Sequence, residues 1–144
     1  MEYKPLDYCV NIIGFIKNER KYAMCCAWAM QADYDKLLAL IGSQSETGKE
    51  IKVGDKLGFS VLNQEQKNIA LQIGSNHSSN QDKFNDLDLY YQNNALLIKN
   101  ACRNIVCEVI DVIKLNKEEN DNLVYLKIVD YVENNNDFLH YGEM

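Results

Sequence analysis

The sequence predicts a mainly β fold, a small antiparallel barrel carrying two or three short peripheral helices. Three observations lead there. Short apolar runs rich in β-branched residues recur between turn signals, two long strand-like stretches dominate the C-terminal half, and no βαβ rhythm or GxGxxG is present. A doubly wound dinucleotide-binding fold is disfavoured by the last of these. At 144 residues, with 47% hydrophobic and 25% charged residues, the chain suits one domain over 1–144 that buries its own core.

The elements follow in order. "YCVNIIGFI" over 8–16 reads as a strand, and the charged "KNERK" after it as a turn. "YAMCCAWAM" and "LLALIGS" are two further short apolar runs, and the polar "QADYDK" between them predicts a hairpin, with Asp33 and Asp35 as turn formers. Thr47 and Glu50 match the T-x-x-E capping box, which places the start of a short helix at Thr47 and its end near Gly54. "KLGFSVLN" returns to strand character. "QEQKNIALQIG" then sets Ile69, Ala70 and Ile73 on one helical face, with Gly74 as C-cap. "SNHSSNQ" is a polar loop, "DKFNDL" a single helical turn, and "DLYYQNN" a connection. The stretches 104–115 and 122–133 read as a long hairpin closed by the acidic "NKEEND".

Composition narrows the function classes. A net charge of −6 and a pI near 4.9 leave no basic face for nucleic acid. No apolar run is long enough to span a bilayer, and the first residues lack the pattern of an export signal, so no membrane association and a cytoplasmic location are expected. The five cysteines are odd in number, two of them adjacent, with no CxxC and no nearby histidine. Neither a disulfide framework nor a structural metal fits that spacing. Cys25 and Cys26 are expected on opposite faces of a strand, as small packing groups without the electropositive surroundings of a reactive thiol.

Between about residues 21 and 132, the ordered set "YAMCCAW", "DYDKLLALIGSQSETGKEI", "GFSVLN", "QDKF" and "ACRNIVCEV" resembles the flavin reductase-like family. The resemblance implies a Greek-key split barrel that binds FMN and forms a homodimer. It implies that Met24, Cys25, Cys26, Ala27 and Trp28 run beside the isoalloxazine ring, and that Ser43, Gln44, Ser45 and Thr47 contact the ribityl chain and phosphate. It also places Lys83 near the flavin. Hydroxyls at Ser45 and Thr47 ahead of a helix, with the Lys83 charge, would suit an anion. Cys25 and Ala27 stand where relatives carry threonine and serine, so backbone groups are the expected flavin contacts there. Trp28 reads either as a core or interface aromatic or as a flavin neighbour.

The activity implied is hydride transfer from NADH or NADPH to flavin N5, the cofactor supplying the chemistry and the protein its orientation. One departure opens an alternative. Many relatives introduce the last strand with G-D-H, and here Asn120, Asp121 and Asn122 stand there. An FMN-binding, flavoredoxin-like electron carrier without its own nicotinamide site is the second reading. His77 falls in the loop before "DKF", beside the flavin or in solvent.

Overall fold

A computed structural model describes residues 3–42, 45–75, 81–115 and 121–144. Nine strands are present among them: β1 (Asn11–Lys17), β2 (Arg20–Cys26), β3 (Ala29–Asp33), β4 (Lys36–Gly42), β5 (Lys56–Val61), β6 (Leu89–Gln92), β7 (Ala95–Ile98), β8 (Arg103–Lys114) and β9 (Asp121–Glu133). Two α-helices, α1 (Glu46–Glu50) and α2 (Lys67–Gly74), and short 3₁₀ turns at Gln64–Gln66, Gln81–Phe84 and Tyr141–Glu143 are the other elements of the described residues. The mainly antiparallel β architecture expected from the sequence is therefore observed.

All pairings are antiparallel. The ladder runs β3-β4-β9-β8-β5-β1, and β2 pairs with the other side of β1. β2 and β3 are successive halves of one bent strand: the first half pairs with β1, the second with β4. At the bend, Ala27 and Trp28 belong to neither ladder, and the Leu40 N–H donates to the Trp28 carbonyl at 2.9 Å. The barrel thus closes through a seam, where β2 has a strand partner on one side only among the described residues.

Side-chain alternation explains two cores. Ile13 and Phe15 of β1, Tyr22 and Cys26 of β2, and Leu57, Phe59, Cys107, Val109 and Leu126 fill the barrel, where Phe15 and Tyr22 stack at 5.1 Å. The intervening residues Val10, Ile12 and Ala23 face outward and pack with Ala70 and Ile73 of α2, Phe84, Leu96 and Ile98. A second layer over β1 and β2 results. Gly58 makes it possible: a Cβ there would lie 2.0 Å from the Leu96 carbonyl oxygen, so only glycine lets β7 cross so near.

Several local expectations are corrected. The helix after β4 is capped by Ser45, whose Oγ accepts from the Gly48 N–H at 2.8 Å, and Thr47 lies inside it. The T-x-x-E box does not form because position N3 is Gly48, where a Cβ would stand 2.0 Å from the Gly42 carbonyl oxygen. The helix ends at Glu50; Gly54, at φ +94°, belongs to the turn into β5. Ser75, in right-handed conformation, caps α2 in place of Gly74. "LYYQNNALLI" is a hairpin, β6 and β7, turned at Asn93 with φ +55°, where a connection was expected. The Lys17–Arg20 turn joins β1 to β2, with Asn18 and Glu19 both at positive φ.

Candidate functional site

The sequence supplies the edge of β2 with little to pair with, and α1, α2 and the Gln81–Phe84 turn converge on it. Three residues tie that convergence together. Lys83 Nζ donates to the Ala23 carbonyl at 2.9 Å, Thr47 Oγ1 donates to the same oxygen at 3.3 Å, and Cys25 Sγ donates to the Ala70 carbonyl at 3.1 Å. Gly74 admits the Cys25 side chain: a Cβ at that glycine would lie 3.2 Å from the sulfur.

Two clefts open along this edge and meet at Cys25. The first, about 300 Å³, is walled by Met24, Ser45, Glu46, Thr47, Gly74 and Lys83. The second, about 290 Å³, is walled by Val10, Cys26, Ala27, Trp28, Leu40 and Tyr141. Its chemistry differs from the first. One end carries a lysine, hydroxyls and a carboxylate; the other is aliphatic and aromatic. The bend after β2 is set by Asn11, whose buried Nδ2 donates to the Cys26 carbonyl at 2.9 Å.

Lys83 is only 3% exposed yet lies on the first cleft. Burial holds its ammonium pKa below the ordinary value, and the neighbouring Cys25 and Glu46 partly offset that. Burial pushes the Cys25 thiol up to about 11 despite the Lys83 charge, and the Cys26 thiol up to about 12. Both are therefore protonated at neutral pH, in agreement with the packing role expected for them. As expected, their side chains point to opposite faces: Cys26 joins the barrel core and Cys25 the layer beneath α2.

Of the residues singled out in the sequence, Met24, Cys25, Cys26, Ala27, Trp28, Ser45, Thr47 and Lys83 all come together on these two clefts. Ser43, Gln44 and His77 lie outside the described residues. Trp28 is 56% exposed, so it is not a core aromatic. The Ser45 hydroxyl donates to the Gly42 carbonyl at 2.8 Å and caps α1, which leaves it less available to a ligand than its sequence position suggested. Asn122 lies elsewhere, on a separate cleft beside Gly48, Lys52 and Val53. Sequence reasoning missed the contributions of Glu46, Gly74, Tyr141 and Leu40. The glycine directly after Ile73 was the available signal, since a glycine ending a helix over a strand admits a close neighbour.

The class of protein is now defined by comparison as well as by geometry. The flavin reductase-like domain profile matches residues 7–143, and the chain belongs to that family. Among solved structures, a protein from Haemophilus somnus 129PT assigned as a flavin reductase superposes with a TM-score of 0.84 at 18% identity, covering 94% of this chain and 87% of its own. The Streptomyces globisporus C-1027 NADH:FAD oxidoreductase SgcE6, in complex with NAD and FAD fragments, gives 0.78 at 14%, covering 89% and 76%. Flavoredoxin from Methanosarcina acetivorans gives 0.78 at 13%, covering 93% and 75%. At such identities the likeness is one of fold. No curated protein matches the chain significantly. Among the described residues no helix is long and apolar enough to cross a membrane, and no group of three or more histidine, cysteine or acidic side chains could hold a metal ion.

Proposed function

We propose that this chain is an FMN-binding flavin reductase that takes hydride from NADH or NADPH. The observation that carries the reading is the pair of clefts meeting at Cys25 along the one-sided edge of β2. Their opposed chemistry suits a ligand with an apolar planar ring at one end and an anion at the other. Bound flavin would supply two-electron acceptance at N5.

The protein's part is binding and orientation. Cys25, Cys26 and Ala27 flank the ring through their backbone, with Met24 beside them and Trp28 at the open end. Lys83, Ser45 and Thr47 surround the phosphate, and Ser43 and Gln44 belong to the same group on the strength of the family resemblance. Lys83 provides the attraction: a buried ammonium already held by one carbonyl gains more from an anion than an exposed one would. The Glu46 carboxylate on the same cleft opposes it, which favours a ligand bound weakly enough to exchange. Exposed apolar residues along the β8–β9 hairpin, Ile113, Val129 and Tyr131, support a homodimer. Five free cysteines accord with a reducing, cytoplasmic location.

An FMN-binding electron carrier is the second reading. Asn122 favours it, because it replaces the histidine of many relatives and stands away from the β2 clefts. One experiment separates the two. The protein is reconstituted with FMN and mixed anaerobically with NADH or NADPH while the visible spectrum is followed. Bleaching within about a second, typical of turnover numbers near 1 per second or above, is the expected result; bleaching by dithionite alone would establish the carrier. Failure to bind either FMN or FAD would overturn both.

A further inference from the structure

Lys83 is carried by the Gln81–Phe84 turn, a single 3₁₀ turn of four residues. Such a turn has little stability of its own, so contacts outside it decide where the ammonium stands. Phe84 supplies one anchor, buried in the layer beneath α2. Two glutamine amides supply the others. From α2, Gln72 Nε2 donates to the Lys83 carbonyl at 2.7 Å and to the Asn85 carbonyl at 2.9 Å. From the turn itself, Gln81 reaches β2: its Nε2 donates to the Lys21 carbonyl at 3.0 Å, and its Oε1 accepts from the Lys21 N–H at 3.2 Å.

The Gln81 contact copies a strand. In an antiparallel pair alternate residues turn their backbone polar groups away from the partner, and Lys21 and Ala23 of β2 are such residues. The Gln81 amide takes the place of a peptide group at Lys21, and Lys83 Nζ then falls on the next outward carbonyl, that of Ala23, at 2.9 Å. Neither glutamine is among the residues that wall the two clefts, so its effect on a ligand passes through the turn.

We propose that Gln72 and Gln81 are positioning residues: they set the Lys83 ammonium for the phosphate of a bound flavin, and with it the preference for a phosphorylated over an unphosphorylated flavin. The inference rests on the flavin reading of the groove and on Lys83 as its anion partner.

The test is a set of fluorescence titrations with FMN and riboflavin on wild type, Lys83→Met, Gln72→Met, Gln81→Met, and each glutamine variant combined with Lys83→Met. Methionine keeps the side-chain length and removes the amide, and Gln81 is exposed, so its variant leaves the core intact. Each glutamine variant is expected to lower the ratio of FMN to riboflavin affinity about fivefold, and to lower it no further once Lys83 is replaced. An unchanged ratio, or a drop that recurs in full beside Lys83→Met, overturns the proposal. An equal loss of both flavins overturns it too, since that marks a general loosening of the fold. Wild-type protein that binds neither flavin overturns the flavin reading instead, and an equal ratio in wild type and Lys83→Met overturns Lys83 as the anion partner; both results are read before any glutamine variant is made.

Discussion

Lys83 shows most directly how a single residue links fold to ligand. Its ammonium is buried, bonded to the Ala23 carbonyl, and still borders the cleft. Lys83→Met keeps the length and removes the charge; it is expected to weaken FMN about tenfold or more while changing riboflavin affinity much less, measured by fluorescence titration of both. Equal losses would remove the phosphate role. The thiols make a separate prediction. Their ordinary value is 9.0, and burial raises Cys25 to about 11 and both Cys26 and Cys107 to about 12. The unfolded chain releases these protons first, so their contribution to stability is complete below pH 9 and is lost progressively as pH rises to about 12. Urea midpoints measured from pH 8 to 11 should fall, and the fall should be shallower in Cys107→Ala than in wild type; an unchanged slope would contradict the account. What the sequence concealed at this scale is instructive. Ser45 and Thr47 both satisfy the rule for a helix cap, and the choice between them depends on Gly48 passing beneath the Gly42 carbonyl, a contact six residues apart that no local pattern encodes.

Elements were legible in proportion to their alternation. The β8–β9 hairpin declares itself because Ile105, Cys107 and Val109 point inward in turn, and the face of α2 because Ala70 and Ile73 repeat at helical spacing. β7 did not, because Ala95, Leu96, Leu97 and Ile98 are buried on both faces and four apolar residues carry no period. The bend between β2 and β3 was hidden for the same reason, inside one apolar run. The β1–β2 turn offers a test of local chemistry. Asn18 and Glu19 both occupy positive φ, at 52° and 65°, where asparagine is tolerated and glutamate is strained. Glu19→Gly produces the favoured Asn-Gly pair and is expected to stabilise the protein by about 0.5–1 kcal/mol in chemical denaturation; a destabilised variant would refute the turn assignment. Gly58→Ala should do the reverse. With the Leu96 carbonyl oxygen 2.0 Å from the added Cβ, β7 must shift, and a loss of about 2–3 kcal/mol is expected from the same measurement.

Across the whole molecule, the site falls where the barrel fails to close. Among the described residues β2 is held on one side by β1, and its other side is bordered by side chains and by the two clefts. The β8–β9 hairpin poses a different question, since Ile113 at 40%, Val129 at 46% and Tyr131 at 45% exposed are a poor surface for a lone barrel. Val129→Lys with Ile113→Lys should convert a dimer to a monomer by light scattering at micromolar concentration, and a monomeric wild type would remove the dimer proposal.

The seam also has a mechanical meaning. A closed barrel carries strain around its circumference as a hoop does, and a hoop with one joint yields at the joint. Heat or denaturant should therefore part this protein first between β2 and β4, not through β8 and β9, whose long ladder lies opposite. Whatever fills the groove becomes a rivet across that joint, so loading should slow amide exchange in residues 23–28 more than anywhere else in the chain.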